Sequence, residues 1–153
     1  LGWLRQPERF GLPWTTTQIG TFAPDSMTGF ALADINGNGR LDVIAGSYSR
    51  GTRDRDALAV IDAPLGRIGW FENPGSLAGE WRRHDVSRRV RGMFDKFVAV
   101  DLNGDGLVDF AGTRGNSEPY DGVFWLEQVR TDTPVPVFDR ARASDSAEVP
   151  LPD

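Results

Sequence analysis

A gapless repeat of 67 residues constrains the fold of this chain more than any other sequence feature. The pairs that keep this spacing are Trp3 and Trp70, Trp14 and Trp81, Phe30 and Phe97, and Asp34 and Asp101. A unit that recurs in this way buries its apolar faces mainly against neighbouring copies of itself. The chain is therefore expected to fold as a row of similar units.

Each copy contains four short segments with the character of β-strands, because each is apolar or alternating and is bounded by turn residues. In the first copy these segments are 30–35, 41–47, 68–73 and 81–86, and in the second they are 97–102, 107–113, 123–127 and 135–138. Ahead of them, 3–6 and 14–19 match the third and fourth segments of a copy. The 18 glycines and 10 prolines leave few stretches that could hold a long helix.

Four strands in each aromatic-marked repeat are typical of propeller blades, so we expect an all-β fold whose blades each hold four antiparallel strands. The chain would supply a partial β-propeller of about two and a half blades. The expected divisions are the end of a preceding blade (1–29), two blades with an acidic loop each (30–96 and 97–140) and a C-terminal tail (141–153). The first copy carries extra residues, which we place in an exposed loop at 49–65. The tryptophans are expected to form the core between blades, with an aromatic sugar-binding platform as the alternative.

The turn after the first strand of each copy contains the candidate functional residues. It reads D-x-N-x-N-G-x-x-D in loop 34–42 and D-x-N-x-D-G-x-x-D in loop 101–109. Side-chain oxygens at positions 1, 3 and 5 can converge on one hard cation, and glycine at position 6 permits the sharp turn. The candidate metal ligands are Asp34, Asn36, Asn38, the carbonyl of Arg40 and Asp42, then Asp101, Asn103, Asp105, the carbonyl of Leu107 and Asp109. Ligand sets made only of oxygen favour Ca²⁺.

These loops have two other interpretations, an EF-hand and a metal-free turn. An EF-hand would need a glutamate at position 12, where this chain has Ala45 and Gly112, and it would need flanking helices. The remaining alternative is a metal-free Asx turn, since Asp, Asn and Gly favour turns by themselves. Two loops at identical positions of a repeat favour metal binding.

The loops and the strands after them, LDVIAGS with GWFENPG and VDFAGTRG with GVFWLEQ, resemble FG-GAP/VCBS repeats. The resemblance covers about residues 2–128, and it implies an integrin α-subunit-like β-propeller whose loops bind Ca²⁺ through the residues above. This chain departs from the family in lacking a literal FG-GAP segment and in having Asn at several ligand positions. The family is found in many secreted bacterial proteins, so the resemblance implies a secreted, periplasmic or cell-surface location.

Composition narrows the functional classes. The net charge of −5 argues against nucleic-acid binding, the absence of cysteine excludes a thiol nucleophile, and no apolar run is long enough for a membrane span. The single histidine, His84, is expected to be structural rather than catalytic. We expect a binding or scaffold module without an active site of its own, with part of a propeller-fold carbohydrate-active lyase or hydrolase as the alternative. Its expected partners are further blades of a longer chain or a homo-oligomer, and a carbohydrate or protein ligand.

Overall fold

The computed structural model describes residues 1–23, 25–48, 66–76, 79–89, 92–115 and 121–133. All regular secondary structure within these residues is β-strand, which confirms the all-β prediction. The strands are β1 (Gly2–Arg5), β2 (Thr15–Gln18), β3 (Ser26–Ala33), β4 (Asp42–Tyr48), β5 (Gly66–Glu72), β6 (Arg82–Arg89), β7 (Met93–Val100), β8 (Asp109–Gly115) and β9 (Gly122–Leu126). The predicted loop at 49–65, strand at 135–138 and tail at 141–153 lie outside the described residues.

Antiparallel pairing of consecutive strands produces three groups. The N-terminal strand pair is β1–β2, the first unit is the meander β3–β4–β5–β6, and the second unit is the meander β7–β8–β9. One bridge between Tyr48 and Met93 links the two units into a single sheet. In the described part of the chain, the two sheets are open and no helix is long and apolar enough to cross a membrane.

The first strand of each unit begins earlier than the sequence predicts. β3 begins at Ser26 rather than at Phe30, and β7 begins at Met93 rather than at Phe97. Both strands shift register near their start, between Met27 and Phe30 in β3 and between Phe94 and Lys96 in β7. An irregularity of this kind interrupts the two-residue alternation, so only the part of each strand after it has a readable pattern.

Two apolar cores lie on opposite faces of the first unit. The larger one, between the two units, has the buried members Ala33, Ile35, Ile44, Ile68, Phe94, Phe97 and Phe110. The smaller one joins the first unit to the N-terminal strand pair, and its buried members are Ile19, Phe22, Val43, Ala45 and Phe71. Phe22 stacks on Phe71 with ring centroids 5.3 Å apart. The first unit thus packs against the second unit through one face and against the N-terminal strand pair through the other.

Two glycines allow the units to approach closely. A Cβ atom on Gly29 of β3 would collide with the carbonyl oxygen of Asp95, and one on Gly46 of β4 would collide with that of Phe94. Thr28 strengthens the contact, because its hydroxyl donates to the carbonyl oxygen of Phe94 at 2.8 Å. The start of β7 therefore lies directly against the backbone of the first unit.

A buried arginine ties the start of β3 to β5 and β6. Arg67 is 2% exposed, and its guanidinium contacts the carboxylates of Asp25 and Asp85 at 2.7 Å each. Burial lowers the pKa of Arg67, but the hydrogen bonds to Asp85 and Asp25 outweigh it and leave the pKa raised. A buried cation requires such partners, because an unpaired charge in an apolar interior is costly.

The tryptophans follow the predicted core only in part. Trp3 and Trp81 pack against the smaller core and Trp70 against the larger one. Trp14 and Trp125, in contrast, are 56% and 50% exposed. Trp125 lies on a face of the second unit that no described element covers, so its position in the repeat alone does not bury it.

Candidate metal-binding loops

Loop 34–42 connects β3 to β4 and is closed by its first residue. One carboxylate oxygen of Asp34 accepts the backbone N–H of Asn38 at 2.9 Å, and the other accepts that of Gly39 at 2.8 Å. Gly37 and Gly39 have φ values of 75° and 82°, a conformation that glycine adopts without steric cost. The chain therefore curls around the Asp34 carboxylate.

The amide oxygens at positions 3 and 5 face the loop backbone as well. The Asn36 Oδ1 atom accepts the N–H of Asn38 at 3.2 Å, and the Asn38 Oδ1 atom accepts the N–H of Arg40 at 2.9 Å. These contacts are Asx turns, which the sequence analysis kept as the alternative to a metal site. The Arg40 side chain donates from Nε to the Asn73 carbonyl at 2.9 Å, so it also anchors the loop to the end of β5.

Asp42, the last residue of the loop, is fully buried and bridges two strands. Its Oδ2 atom accepts the N–H of Ile35 at 3.1 Å, and its Oδ1 atom accepts the N–H of Asn73 at 2.8 Å. One carboxylate thus joins the end of the first strand to the end of the third. This role needs both oxygens, which explains why an aspartate ends the motif whether or not a cation binds.

Loop 101–109 has a similar network, although Asp101 accepts the N–H of the fourth loop residue where Asp34 accepts that of the fifth. The Asp101 oxygens accept the N–H groups of Gly104 and Gly106 at 2.6 and 2.9 Å. The Asn103 side chain accepts the N–H of Asp105 at 3.0 Å, and the Asp105 side chain accepts that of Leu107 at 2.8 Å. Asp109 accepts the N–H groups of Leu102 and Gln128 at 3.0 and 2.9 Å. The Asn103 Nδ2 atom also donates to the Asp105 Oδ2 atom at 3.1 Å. The hydrogen bond from Gln128 is the largest cause that lowers the pKa of Asp109, and burial opposes it.

A glutamate that the sequence motif did not predict lies beside each loop. The Asn36 side chain donates to the Glu72 Oε1 atom at 3.1 Å, and the Asn103 side chain donates to the Glu127 Oε1 atom at 3.0 Å. In both units this glutamate follows the marker tryptophan by two positions. That shared spacing was the available signal, because alternation places such a residue on the same face as the tryptophan.

His84 contacts Glu72 and stacks on a tryptophan. Its Nε2 atom lies 2.9 Å from the Glu72 Oε2 atom, while the neighbouring Asp85 pairs with Arg67. The hydrogen bond with His84 is the largest cause that lowers the pKa of Glu72. His84 and Asp85 therefore have different partners, as expected for neighbours on a strand, and they do not form a catalytic pair.

The donor chemistry of both loops fits a hard divalent cation, since every proposed side-chain ligand offers oxygen. In the described ranges, however, no group of three or more His, Cys, Asp or Glu side chains gathers to hold a metal ion. The carboxylates of Asp34, Asp42, Asp101 and Asp109 each accept backbone N–H groups instead. The calcium assignment of the ten predicted ligands remains a prediction.

The enzyme alternative would need carboxylates with displaced pKa in a pocket away from the loops. Glu72 and Asp109, whose pKa values are lowered, both belong to the loop networks. No protein-family model, curated protein or solved structure matches this chain. Functional inference therefore rests on the repeat and its two loops.

Proposed function

We propose that this chain is a calcium-stabilised segment of a β-propeller that acts as a binding or scaffold module in an exported protein. The observation that carries the proposal is that the first and the last residue of both loops make equivalent hydrogen bonds. Asp34 and Asp101 close their loops, Asp42 and Asp109 bridge the same two strand ends, and all four lie at equivalent repeat positions. One loop of this kind would be an ordinary turn, whereas two equivalent loops favour a common role, which we propose is calcium binding.

Calcium suits the loops because of their charge and ligand type. Loop 101–109 offers three carboxylates, and loop 34–42 offers two with two amide oxygens. Sites of moderate charge bind Ca²⁺ at the concentrations found outside cells. A bound cation would be held by oxygens that now accept hydrogen bonds within the loops, and it would offset the repulsion among the carboxylates of loop 101–109.

The packing of the units supports the proposed module role. Each buries one face against the next, so further blades of a longer chain or a second copy would continue the row. The resemblance to FG-GAP/VCBS repeats supports the same role and the exported location. Loops at one end of such a row offer a surface for a carbohydrate or protein ligand.

Isothermal titration calorimetry with CaCl₂ tests the proposal, with MgCl₂ as the control for general ionic attraction. Heat of binding and a melting temperature that rises with Ca²⁺ and falls with a chelator are expected. Asp101→Asn should weaken the calcium response, while Asp132→Asn, an exposed residue outside both loops, should not. Equal titrations for Ca²⁺ and Mg²⁺, or a melting temperature unmoved by chelation, would reject the calcium assignment.

A further inference from the structure

Phe30 and Phe97 hold the same position in the repeat but lie in different surroundings. Phe97 is 5% exposed, whereas Phe30 is 57% exposed. Leu32 and Leu41, next to Phe30, are 51% and 56% exposed. Three large apolar side chains are therefore open at one end of the first unit, although the repeat places the equivalent ones in or against a core.

The contacts of Phe97 show what the open positions lack. Phe97 shares its core with Ala33, Ile35 and Ile44, which come from β3, β4 and the loop between them. These are the first two strands of the neighbouring unit. The N-terminal strand pair supplies only the counterparts of a third and a fourth strand, because Trp3 corresponds to Trp70. The side chains that would cover Phe30 thus belong to a first and a second strand.

The backbone of β1 leads to the same conclusion independently. Its counterpart β5 pairs with β4 on one edge and with β6 on the other. Among the described strands, β1 pairs with β2 alone, so its other edge, called the free edge here, has no described partner strand. A free edge binds an additional strand through main-chain hydrogen bonds. The free edge of β1 lies where the counterpart of β4 would be.

A groove runs between the strand pair and the first unit. It has a volume of about 490 Å³, and its walls include Trp3, Leu32, Leu41 and Trp81. Its apolar walls match a strand that carries small or aliphatic side chains, like those of Ala31, Ala33 and Ile44 in the neighbouring core. The polar residues Arg40, Asn73 and Ser76 also line the groove, and Arg40 and Asn73 already donate hydrogen bonds to backbone carbonyls of the protein.

We propose that this face binds an antiparallel pair of β-strands with the pattern of β3–β4, hydrogen-bonded to the free edge of β1 and packed on Phe30 and Leu32. The inference rests on the repeat architecture of the proposed function but not on its calcium. Both the edge and the apolar face are needed, since an apolar peptide without strand pairing would leave the edge of β1 open. The occupant is thus a strand pair of the chain's own repeat type.

A fusion protein tests the proposal. A duplicate of residues 26–48 is placed ahead of Leu1, joined by the sequence of residues 116–122. This linker has matching length because Tyr48 corresponds to Gly115 and Leu1 corresponds to Val123. The melting temperature should rise by about 5–15 °C, as expected for burying two large apolar side chains. The same fusion with Ala31→Asp and Ile44→Asp in the duplicate only is the matched control, and it should lose the gain.

A second variant measures the contact itself. Leu32→Asp should leave the melting temperature of the parent chain nearly unchanged, because Leu32 is half exposed there. In the fusion, the same substitution at the original Leu32, with the duplicate unchanged, should remove most of the gain in melting temperature. A fusion that melts like the parent chain, or a gain that survives the control substitutions, would overturn the proposal. Chelator is present throughout, so the outcome does not depend on whether the loops bind calcium.

Hydrogen–deuterium exchange on the unmodified chain covers the case of a misfolded fusion. A synthetic peptide with the sequence of residues 26–48 should slow exchange of the β1 amides that face away from β2. Lack of protection at millimolar peptide would reject the proposal. Protection that grows with protein concentration without peptide would show a second copy on this face, and it would overturn the assignment of the occupant.

Discussion

Asp42 and Asp109 lie at equivalent positions of the two units. The two carboxylate oxygens of each accept an equivalent pair of backbone N–H groups. Both side chains are fully buried. One carboxylate thus joins the ends of the first and third strands in each unit. Because these contacts need no cation, Asp42 and Asp109 have a structural role that does not depend on metal binding.

Asp42→Ala should destabilise the chain even in the presence of a chelator. The substitution leaves the buried N–H of Ile35 and the part-buried N–H of Asn73 without their acceptor, which costs about 2–4 kcal/mol in total. Urea unfolding measures the loss. Asp132→Ala, at an exposed position outside the loops, is the control and should lie within about 0.5 kcal/mol of the parent chain. Equal stabilities for both variants would contradict the structural role.

The two loops should differ in calcium affinity. Loop 101–109 has carboxylates at positions 1, 5 and 9, whereas loop 34–42 has asparagine at position 5. Affinity in such loops rises with ligand charge, so Asp105→Asn should weaken the tighter site and Asn38→Asp should strengthen the weaker one. Calorimetry on each single variant and on the double variant assigns each change to its loop. If neither substitution alters calcium binding, both loops are metal-free Asx turns.

The sequence predicted the strands of each unit because they alternate regularly and end at turn residues. It placed the start of the first strand too late, since the register shifts near Met27 and Phe94 interrupt the alternation. The loop residues were readable from a local motif. The part played by Glu72 was not, because its contact with Asn36 joins residues far apart in the chain.

The repeat predicted the burial of a tryptophan side chain correctly only where a neighbouring unit covers it. Repeat position predicted Trp70 correctly as a core residue, but it did not predict the exposure of Trp125. The repeat specifies which face of a strand is apolar, whereas the neighbouring unit decides whether that face is covered. The buried contacts of Arg67 with Asp25 and Asp85 also depend on tertiary packing, and no local pattern marks them.

His84→Gln should affect stability rather than chemistry. The imidazole stacks on Trp70 with ring centroids 4.2 Å apart and an interplanar angle of 10°. Loss of the stacking should cost about 0.5–1.5 kcal/mol in urea unfolding. Any activity of a longer protein that contains this chain should stay within about threefold. A loss near the 10²–10⁴-fold typical of removing a general acid or base would instead identify His84 as catalytic.

Acid should remove the stabilisation that Glu72 provides. Its pKa in the folded chain lies below the ordinary value of 4.5, chiefly because of the hydrogen bond with His84. The contribution is therefore present above pH 4.5 and is lost as the pH falls through the lowered pKa. The gap in melting temperature between the parent chain and Glu72→Gln should be present above pH 4.5 and should close as the pH falls through the lowered pKa.

The equivalent glutamate offers a matched control for this pH profile. Glu127 also accepts from an asparagine of its loop, at 3.0 Å. Glu127→Gln tests the shared asparagine contact without touching His84. A gap for Glu72→Gln that stays constant with pH, or one that widens in acid, would contradict the stabilising role of the ionised carboxylate.

The outer face of the second unit should drive self-association. Val98, Val100 and Trp125 on this face are 50%, 39% and 50% exposed. Their counterparts in the first unit, Ala31, Ala33 and Trp70, pack in the core between the units. Sedimentation velocity of the chain should therefore show oligomers that increase with concentration.

The double variant Val98→Glu and Val100→Glu tests whether this face forms the contact. It should shift the distribution towards monomer with little change in melting temperature, because both side chains are already partly in water. Thr16→Glu, outside this face, should leave the oligomers in place. A parent chain that stays monomeric at every concentration would contradict the prediction.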